Sequence, residues 1–219
     1  MTLLRPQVVI FDFDYTLADS SQGIVECVNY ALSRLGREQI SPARIRKTIG
    51  LSLPDTCLAL TGRSDLGQEF TRLFILRADE VMADSTVIMD SASDTIQVLR
   101  QRGFRLGIVS TKFRRRIETI LGREDLLEPF DVIVGGEDVA EFKPNPEGIN
   151  LAMERLGCSP SNSIYVGDSL VDLETAKRAG LPFIALLTGP TTRWEFPEDD
   201  VYLMLERISD LPASLPDSL

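Results

Sequence analysis

Val8-Val9-Ile10-Phe11-Asp12-Phe13-Asp14-Tyr15-Thr16-Leu17 is a short apolar run that ends in two carboxylates one residue apart. A run of this length and composition reads as a strand buried on both faces of a sheet. The acids then stand at its carboxyl end, where open α/β sheets bind their ligands. Two anions held close together and partly out of water are costly without a cation or hydrogen-bond donors. A hard divalent metal with oxygen ligands relieves that cost.

Outward from this stretch, strand-like runs recur at Leu106 to Val109, Val132 to Val134, Ile164 to Val166 and Phe183 to Leu187, with a short last one at Val201 to Leu205. Amphipathic stretches separate them at Asp94 to Arg102, Arg114 to Leu121, Glu147 to Leu156 and Leu173 to Ala179. The alternation predicts an α/β fold with a doubly wound parallel sheet and right-handed crossovers. It breaks after the first strand. From about Ser20 to Asp84 only helical periodicity is found, as in Ile24, Val25, Val28, Ala31, Leu32 and Leu35, with Gly36 suited to stop the helix. Such a segment is too long for one crossover and long enough for a small domain. The expected organisation is a catalytic core of residues 1–17 and 85–219, and an all-helical cap domain of residues 18–84 over the carboxyl edge of the sheet, joined by loops near 17–21 and 84–89. The tail from Leu211 to Leu219 is expected to fray.

The 219 residues, 43% of them apolar, suffice for a substantial core. A net charge of -10, from 23 basic and 33 acidic residues, argues against a general nucleic-acid binder and against an anionic membrane surface. A small phosphorylated substrate is compatible with it, because a local pocket can oppose the global field. Cys27, Cys57 and Cys158 are an odd number without metal-ligand spacing and read as reduced, buried thiols. With neither a signal-peptide pattern nor a bilayer-length apolar run, a cytoplasmic protein is expected. There is no histidine, which leaves proton transfer to carboxylates, Lys, Tyr or Cys.

Four short clusters each follow a predicted strand: Asp12-Phe13-Asp14-Tyr15-Thr16, Ser110-Thr111-Lys112, Lys143-Pro144-Asn145-Pro146 and Gly167-Asp168-Ser169-Leu170-Val171-Asp172. Parallel strands bring their carboxyl ends to one edge, so the clusters are expected to converge there. Together they supply carboxylates for a metal, a hydroxyl donor and a fixed cation, which is an inventory for phosphoryl transfer. Each has a plainer reading. Asp12 and Asp14 could be solvated or capping acids, Asp168 and Asp172 a helix cap and its decoration, and Lys143 part of a turn before Pro144. Four clusters in one order favour the chemical reading. Thr111 rivals Ser110 as the hydroxyl donor.

These motifs, in this order, resemble the haloacid dehalogenase superfamily of phosphohydrolases, in the branch that includes phosphoglycolate phosphatase and β-phosphoglucomutase; the resemblance covers nearly the whole chain. It implies a phosphatase acting on a small phosphorylated metabolite through an aspartyl-phosphate; whether the chain is a monomer or a homodimer is not read from the sequence. It implies Asp12 as nucleophile, Asp14 as general acid and then base, Ser110 as the hydroxyl that binds a phosphoryl oxygen, and Lys143 as the cation orienting Asp12. The implied cofactor is Mg²⁺, held by the Asp12 carboxylate, the Asp14 backbone carbonyl and Asp168, with Asp172 acting through water or by orienting neighbours. Thr111 and Lys112 beside Ser110, and Arg46, Lys47 and Ser52 on the cap, are candidates for phosphate or substrate contact.

The same resemblance frames the rivals. A phosphomutase would begin with the same covalent step and pass the phosphoryl group to a sugar hydroxyl. A dehalogenase would lack Asp14 and the metal. A phosphonate hydrolase would use a cap lysine, and Lys47 is the only lysine of that segment. A non-catalytic binding protein would be marked by loss of one of these groups, yet all are present in type. Two features stand apart. Tyr15 replaces the glycine usual after the second acid. Arg114-Arg115-Arg116 opens a predicted helix, where the macrodipole opposes positive charge, so either acidic neighbours compensate or an anion comes close. Trp194 and Phe196 are expected to pack a late loop.

Overall fold

Along Val8–Phe11 the side chains alternate: Val8 and Ile10 enter one apolar cluster, Val9 and Phe11 another, and all four are buried. That double burial requires a layer of helices on each face of the sheet. The structure, a computed structural model that describes residues 6–216, supplies both. Its elements are β1 (Val8–Phe11), β2 (Ala18–Asp19), α1 (Ser21–Arg34), α2 (Pro42–Arg46), α3 (Leu53–Thr61), α4 (Gly67–Val81), β3 (Val87–Ile88), α5 (Ala92–Gln101), β4 (Arg105–Val109) and α6 (Arg114–Arg123). There follow β5 (Val132–Val134), α7 (Glu147–Leu156), β6 (Ser163–Gly167), α8 (Leu170–Ala179), β7 (Phe183–Leu186), β8 (Leu203–Leu205) and α9 (Leu211–Ser214).

Six strands form one parallel sheet in the order β5-β4-β1-β6-β7-β8. Val9 and Phe11 meet Ile96 and Leu99 of α5 and Ile117 and Ile120 of α6. Val8 and Ile10 meet Ile149 and Met153 of α7 and Leu173 and Ala176 of α8. The chain leaves β1 toward β4 and leaves β6 toward β7, so the winding reverses between these two neighbours. The crevice outside the carboxyl ends of β1 and β6 is therefore the topological switch point, where ligands bind in such sheets.

Helices α1 to α4 form an insert with its own apolar cluster, in which Cys27, Val28 and Leu32 of α1 pack with Cys57 of α3 and Phe70 and Phe74 of α4. Local signals delimit these helices. Ser52 caps α3 by accepting from the Asp55 N–H at 3.2 Å, and Gly62 ends it in the left-handed region at φ 71°. The insert is tied to the core through the arginine run that opens α6. Arg115 and Arg116 pair with Asp79 of α4 at 2.7 and 2.5 Å. Arg114 pairs with Asp138 at 3.0 Å, and the Glu137 carboxylate accepts from the N–H groups of Arg114 and Arg115. Acidic neighbours thus offset the unfavourable helix end.

Several expectations need correction. The two connections to the insert are not plain loops: β2 and β3 pair antiparallel, Ala18 with Ile88 and Asp19 with Val87. Two residues per strand are too few to show alternation in a sequence. The tail does not fray through Pro216, because Leu211 and Leu215 are buried in the cluster under α5 and the Leu215 carbonyl accepts from Arg102 at 2.9 Å; residues 217–219 of that expectation lie outside the described residues. Trp194 does not pack a loop but is 87% exposed, whereas Phe196 is buried with its ring 6.2 Å from that of Phe183. All three thiols are free, but Cys158 is only half-buried. Among the described residues no helix is long and apolar enough to cross a membrane.

Candidate active site

Each strand end delivers its polar cluster to the switch point. The Asp12 N–H donates to the Val166 carbonyl at 2.9 Å, which extends the β1–β6 pairing by one residue and fixes the Asp12 backbone beside that of Gly167. Lys143, buried, stands between two acids: Nζ is 2.9 Å from Asp12 Oδ1 and 2.6 Å from Asp172 Oδ1. It also donates to the Tyr165 phenol oxygen at 3.3 Å. That oxygen lies 3.0 Å from the Val109 carbonyl and 3.2 Å from Asp172 Oδ1. The second Asp172 oxygen accepts from Ser169 Oγ at 2.5 Å and from the Ser169 N–H at 3.2 Å. Both oxygens of Asp172 are therefore occupied. The Lys143–Asp12 contact is an ion pair without hydrogen-bond alignment, so Asp12 Oδ1, like Asp14 Oδ1, has no hydrogen-bond partner among the described residues.

Asp168, at the end of β6, is buried and accepts from Thr16 Oγ1 at 3.4 Å. Carboxylate oxygens of Asp12, Asp168 and Asp172 lie within 4.8 Å of one another. Burial raises the Asp168 carboxyl well above its usual range, and the charges of Asp172 and Asp12 raise it further. Burial also pushes Asp12 up to about 6, against the pull of Lys143, with Asp172 adding to the rise. For Lys143, burial would lower the ammonium, but the Asp12 and Asp172 charges outweigh it and hold the group well above its usual value. One lysine for three clustered acids leaves negative charge uncompensated. An all-oxygen donor set with an orphaned Asp12 oxygen suits a hard divalent cation, with Asp12 and Asp168 as the available carboxylates because Asp172 is taken by Lys143 and Ser169.

The loop after β7 closes this wall. Thr188 Oγ1 donates to the Tyr15 carbonyl, and Gly189 packs on Asp168 so tightly that a Cβ there would lie 1.8 Å from Oδ2. Gly189→Ala is therefore expected to displace the Asp168 carboxylate. We expect a loss of roughly 10- to 100-fold in affinity for a divalent cation, read by calorimetric titration, the range seen when groups supporting metal ligands are changed. Unchanged affinity would show that Asp168 does not bind the cation.

Ser110 is buried at the end of β4, next to β1, and its Oγ accepts from the Lys112 N–H at 3.3 Å. Lys112 Nζ is 3.2 Å from Asp14 Oδ2, and both are buried. Thr111 is half-buried and lines a cavity beneath the insert, together with Asp14, Lys112 and Ser52. Arg46 and Lys47 are exposed, just ahead of Thr48 and Ile49 in the cavity wall; Arg46 is felt electrostatically by the Tyr15 hydroxyl. Tyr15 itself adopts φ 59°, the left-handed conformation that its position demands, at a cost of roughly 1–2 kcal/mol for a residue with a Cβ. Three contributors escape sequence reasoning. Tyr165 sits at an apolar strand position, the Thr16 hydroxyl reaches a partner 152 residues away, and Gly189 gives no signal beyond preceding Pro190.

A model of the haloacid dehalogenase-like hydrolase family matches residues 9–186. The phosphoglycolate phosphatase of Escherichia coli (strain K12) is 30% identical over 204 residues, covering 83% of this chain and 81% of its own. That of Salmonella typhimurium is 31% identical over 207 residues with the same coverage. The crystal structure of a haloacid dehalogenase-like hydrolase from Bacteroides fragilis superposes with a TM-score of 0.90 at 39% identity, over 94% of this chain and 100% of that one. Matched across both the sheet and the helical insert, the chain belongs to the haloacid dehalogenase-like hydrolase family.

Proposed function

We propose that the protein is a Mg²⁺-dependent phosphatase that hydrolyses a small phosphorylated metabolite through an aspartyl-phosphate, with the helical insert of residues 18–84 as its cap. The observation that carries the reading is Lys143, buried between Asp12 and Asp172 at the switch point with Asp168 alongside. In this reading an Asp12 carboxylate oxygen attacks phosphorus and the bond to the leaving oxygen breaks. Asp14, across the crevice against Lys112, gives its proton to that oxygen. Asp14 then takes a proton from water as the water oxygen attacks phosphorus, the bond to Asp12 breaks and phosphate departs. The Ser110 hydroxyl binds a phosphoryl oxygen. Lys143 fixes Asp12 and offsets its charge, and Asp172, Tyr165 and Ser169 fix Lys143 in turn. Asp12, Asp168 and the Asp14 carbonyl would hold the metal, which supplies positive charge to the phosphoryl oxygens.

The similar bacterial proteins named as phosphoglycolate phosphatases support phosphate-ester hydrolysis as the reaction. The test is phosphate release from a panel of small phosphate monoesters with Mg²⁺ and with EDTA. Release is expected with Mg²⁺ and to fall by about 100-fold or more with EDTA, since the charge on the transferring group is then unmet. Release insensitive to EDTA would refute the metal-dependent mechanism.

A further inference from the structure

Between the insert and the sheet edge lies a cavity of ≈ 170 Å³ whose wall includes Asp14, the acid proposed to protonate the leaving group. Most of the wall is apolar, formed by Ile24 and Val28 of α1, Leu51 ahead of α3, Phe74 of α4, and Phe113 and Phe142 from the core. An alcohol portion protonated by Asp14 as it departs would occupy this space.

Apart from Thr111, the hydroxyls of the wall are already committed elsewhere. Thr48 Oγ1 donates to the Ile45 carbonyl at 2.7 Å, Thr71 Oγ1 to the Gly67 carbonyl at 2.8 Å, and Ser52 Oγ to Asp55 at 2.6 Å. Of the two cations, Arg116 is paired outright, and Lys112 is paired only while Asp14 is ionised. Lys112 faces Asp14 at 3.2 Å; Arg116 holds Asp79 at 2.5 Å and donates to the Ile75 carbonyl at 3.2 Å. A carboxylate entering here would have to draw on Lys112 beside Asp14, the acid proposed to act on the leaving group, or break the Arg116 pair; away from these two cations it would lie without a counter-charge, which is disfavoured. An uncharged, apolar group meets no such penalty and removes its own surface from water.

We infer that the substrate is a phosphate monoester whose alcohol portion is compact, uncharged and largely apolar. An ester carrying a carboxylate, such as the phosphoglycolate for which the similar bacterial phosphatases are named, is then a poor substrate. The inference rests on the phosphatase reading above, and the experiment separates the two. Phosphate release is compared, with Mg²⁺ present, for isobutyl phosphate and 2-phosphoglycolate, which are similar in shape and differ by an isopropyl group against a carboxylate. Methyl phosphate serves as the ester with a minimal leaving group. The expected kcat/KM is at least about tenfold higher for isobutyl phosphate than for 2-phosphoglycolate. An equal or higher value for 2-phosphoglycolate overturns the inference and leaves the phosphatase reading standing. No Mg²⁺-dependent release from any of the three overturns the phosphatase reading and the inference with it. Leu51 is half-buried, so Leu51→Trp narrows the cavity without opening the core of the insert. In that variant the ratio of kcat/KM for isobutyl phosphate to that for methyl phosphate is expected to fall about tenfold. An unchanged ratio would mean that the alcohol portion does not enter the cavity, and overturns the inference.

Discussion

Replacing Asp12 with Asn is expected to reduce phosphate release by about 10⁴-fold or more, the scale seen when a nucleophile is removed. The same change should stabilise the metal-free fold near neutral pH. Burial holds the Asp12 carboxyl at about 6, above its ordinary 3.8. Between those values the folded chain binds more protons at this position than the unfolded chain does, so stability falls as pH rises through the window and the loss is complete above about pH 6. A displacement of this size amounts to at most about 3 kcal/mol. Asparagine keeps the shape and carries no charge, and Asp172 still pairs with Lys143. Thermal unfolding in EDTA should therefore show Asp12→Asn melting above the parent at about pH 7.5, with the gap closing toward about pH 4. A variant that turns over normally would remove Asp12 from the chemistry, and one that melts below the parent near neutral pH would contradict the cost assigned to its burial.

Lys143→Met should do the opposite to stability while also suppressing turnover. The ammonium and its two partners are almost entirely out of water, at 2.9 and 2.6 Å. Methionine fills similar space but leaves Asp12 and Asp172 without their cation beside Asp168, itself an acid. Breaking one side of a buried ion pair costs about 3–5 kcal/mol. In a chain of this size that is a fall of about 10 °C in melting temperature, given about 2–4 °C per kcal/mol. Mg²⁺ should recover part of the loss, because it brings positive charge to the same acids, and acidification should shrink it by protonating Asp12 and Asp168. An unchanged melting temperature in EDTA would show that Lys143 does not balance the cluster.

Legibility divides along physical lines. Strands buried on both faces announce themselves as apolar runs, and β1, β5 and α7 coincide with the stretches read from sequence, while β4, β6 and β7 differ by a residue or two. Asp12, Ser110 and Asp168 could be placed at one edge because parallel strands align their ends, and the register of β4, β1 and β6 sets them side by side. What escaped depends on contacts between distant segments. The arginines of α6 find Asp79, which is 36 and 37 residues away from Arg115 and Arg116, and no local pattern links them. Tyr165 has the periodicity of a core residue, and only the fold shows its phenol oxygen against Lys143. The wall facing the sheet is built mainly from apolar side chains of α1, α4 and the turn before α3, which meet only in the folded chain. The exposure of Trp194 reflects a loop whose hydrophobic anchor is Phe196 instead.

The contact between Asp79 and its two arginines is a joint made of charge between two bodies that each have their own apolar interior, open to water on its Arg115 side and buried on its Arg116 side. Dissolved ions screen such a joint but leave hydrocarbon packing intact. Ionic strength therefore weakens the exposed Arg115 arm of this joint and largely spares the buried Arg116 arm.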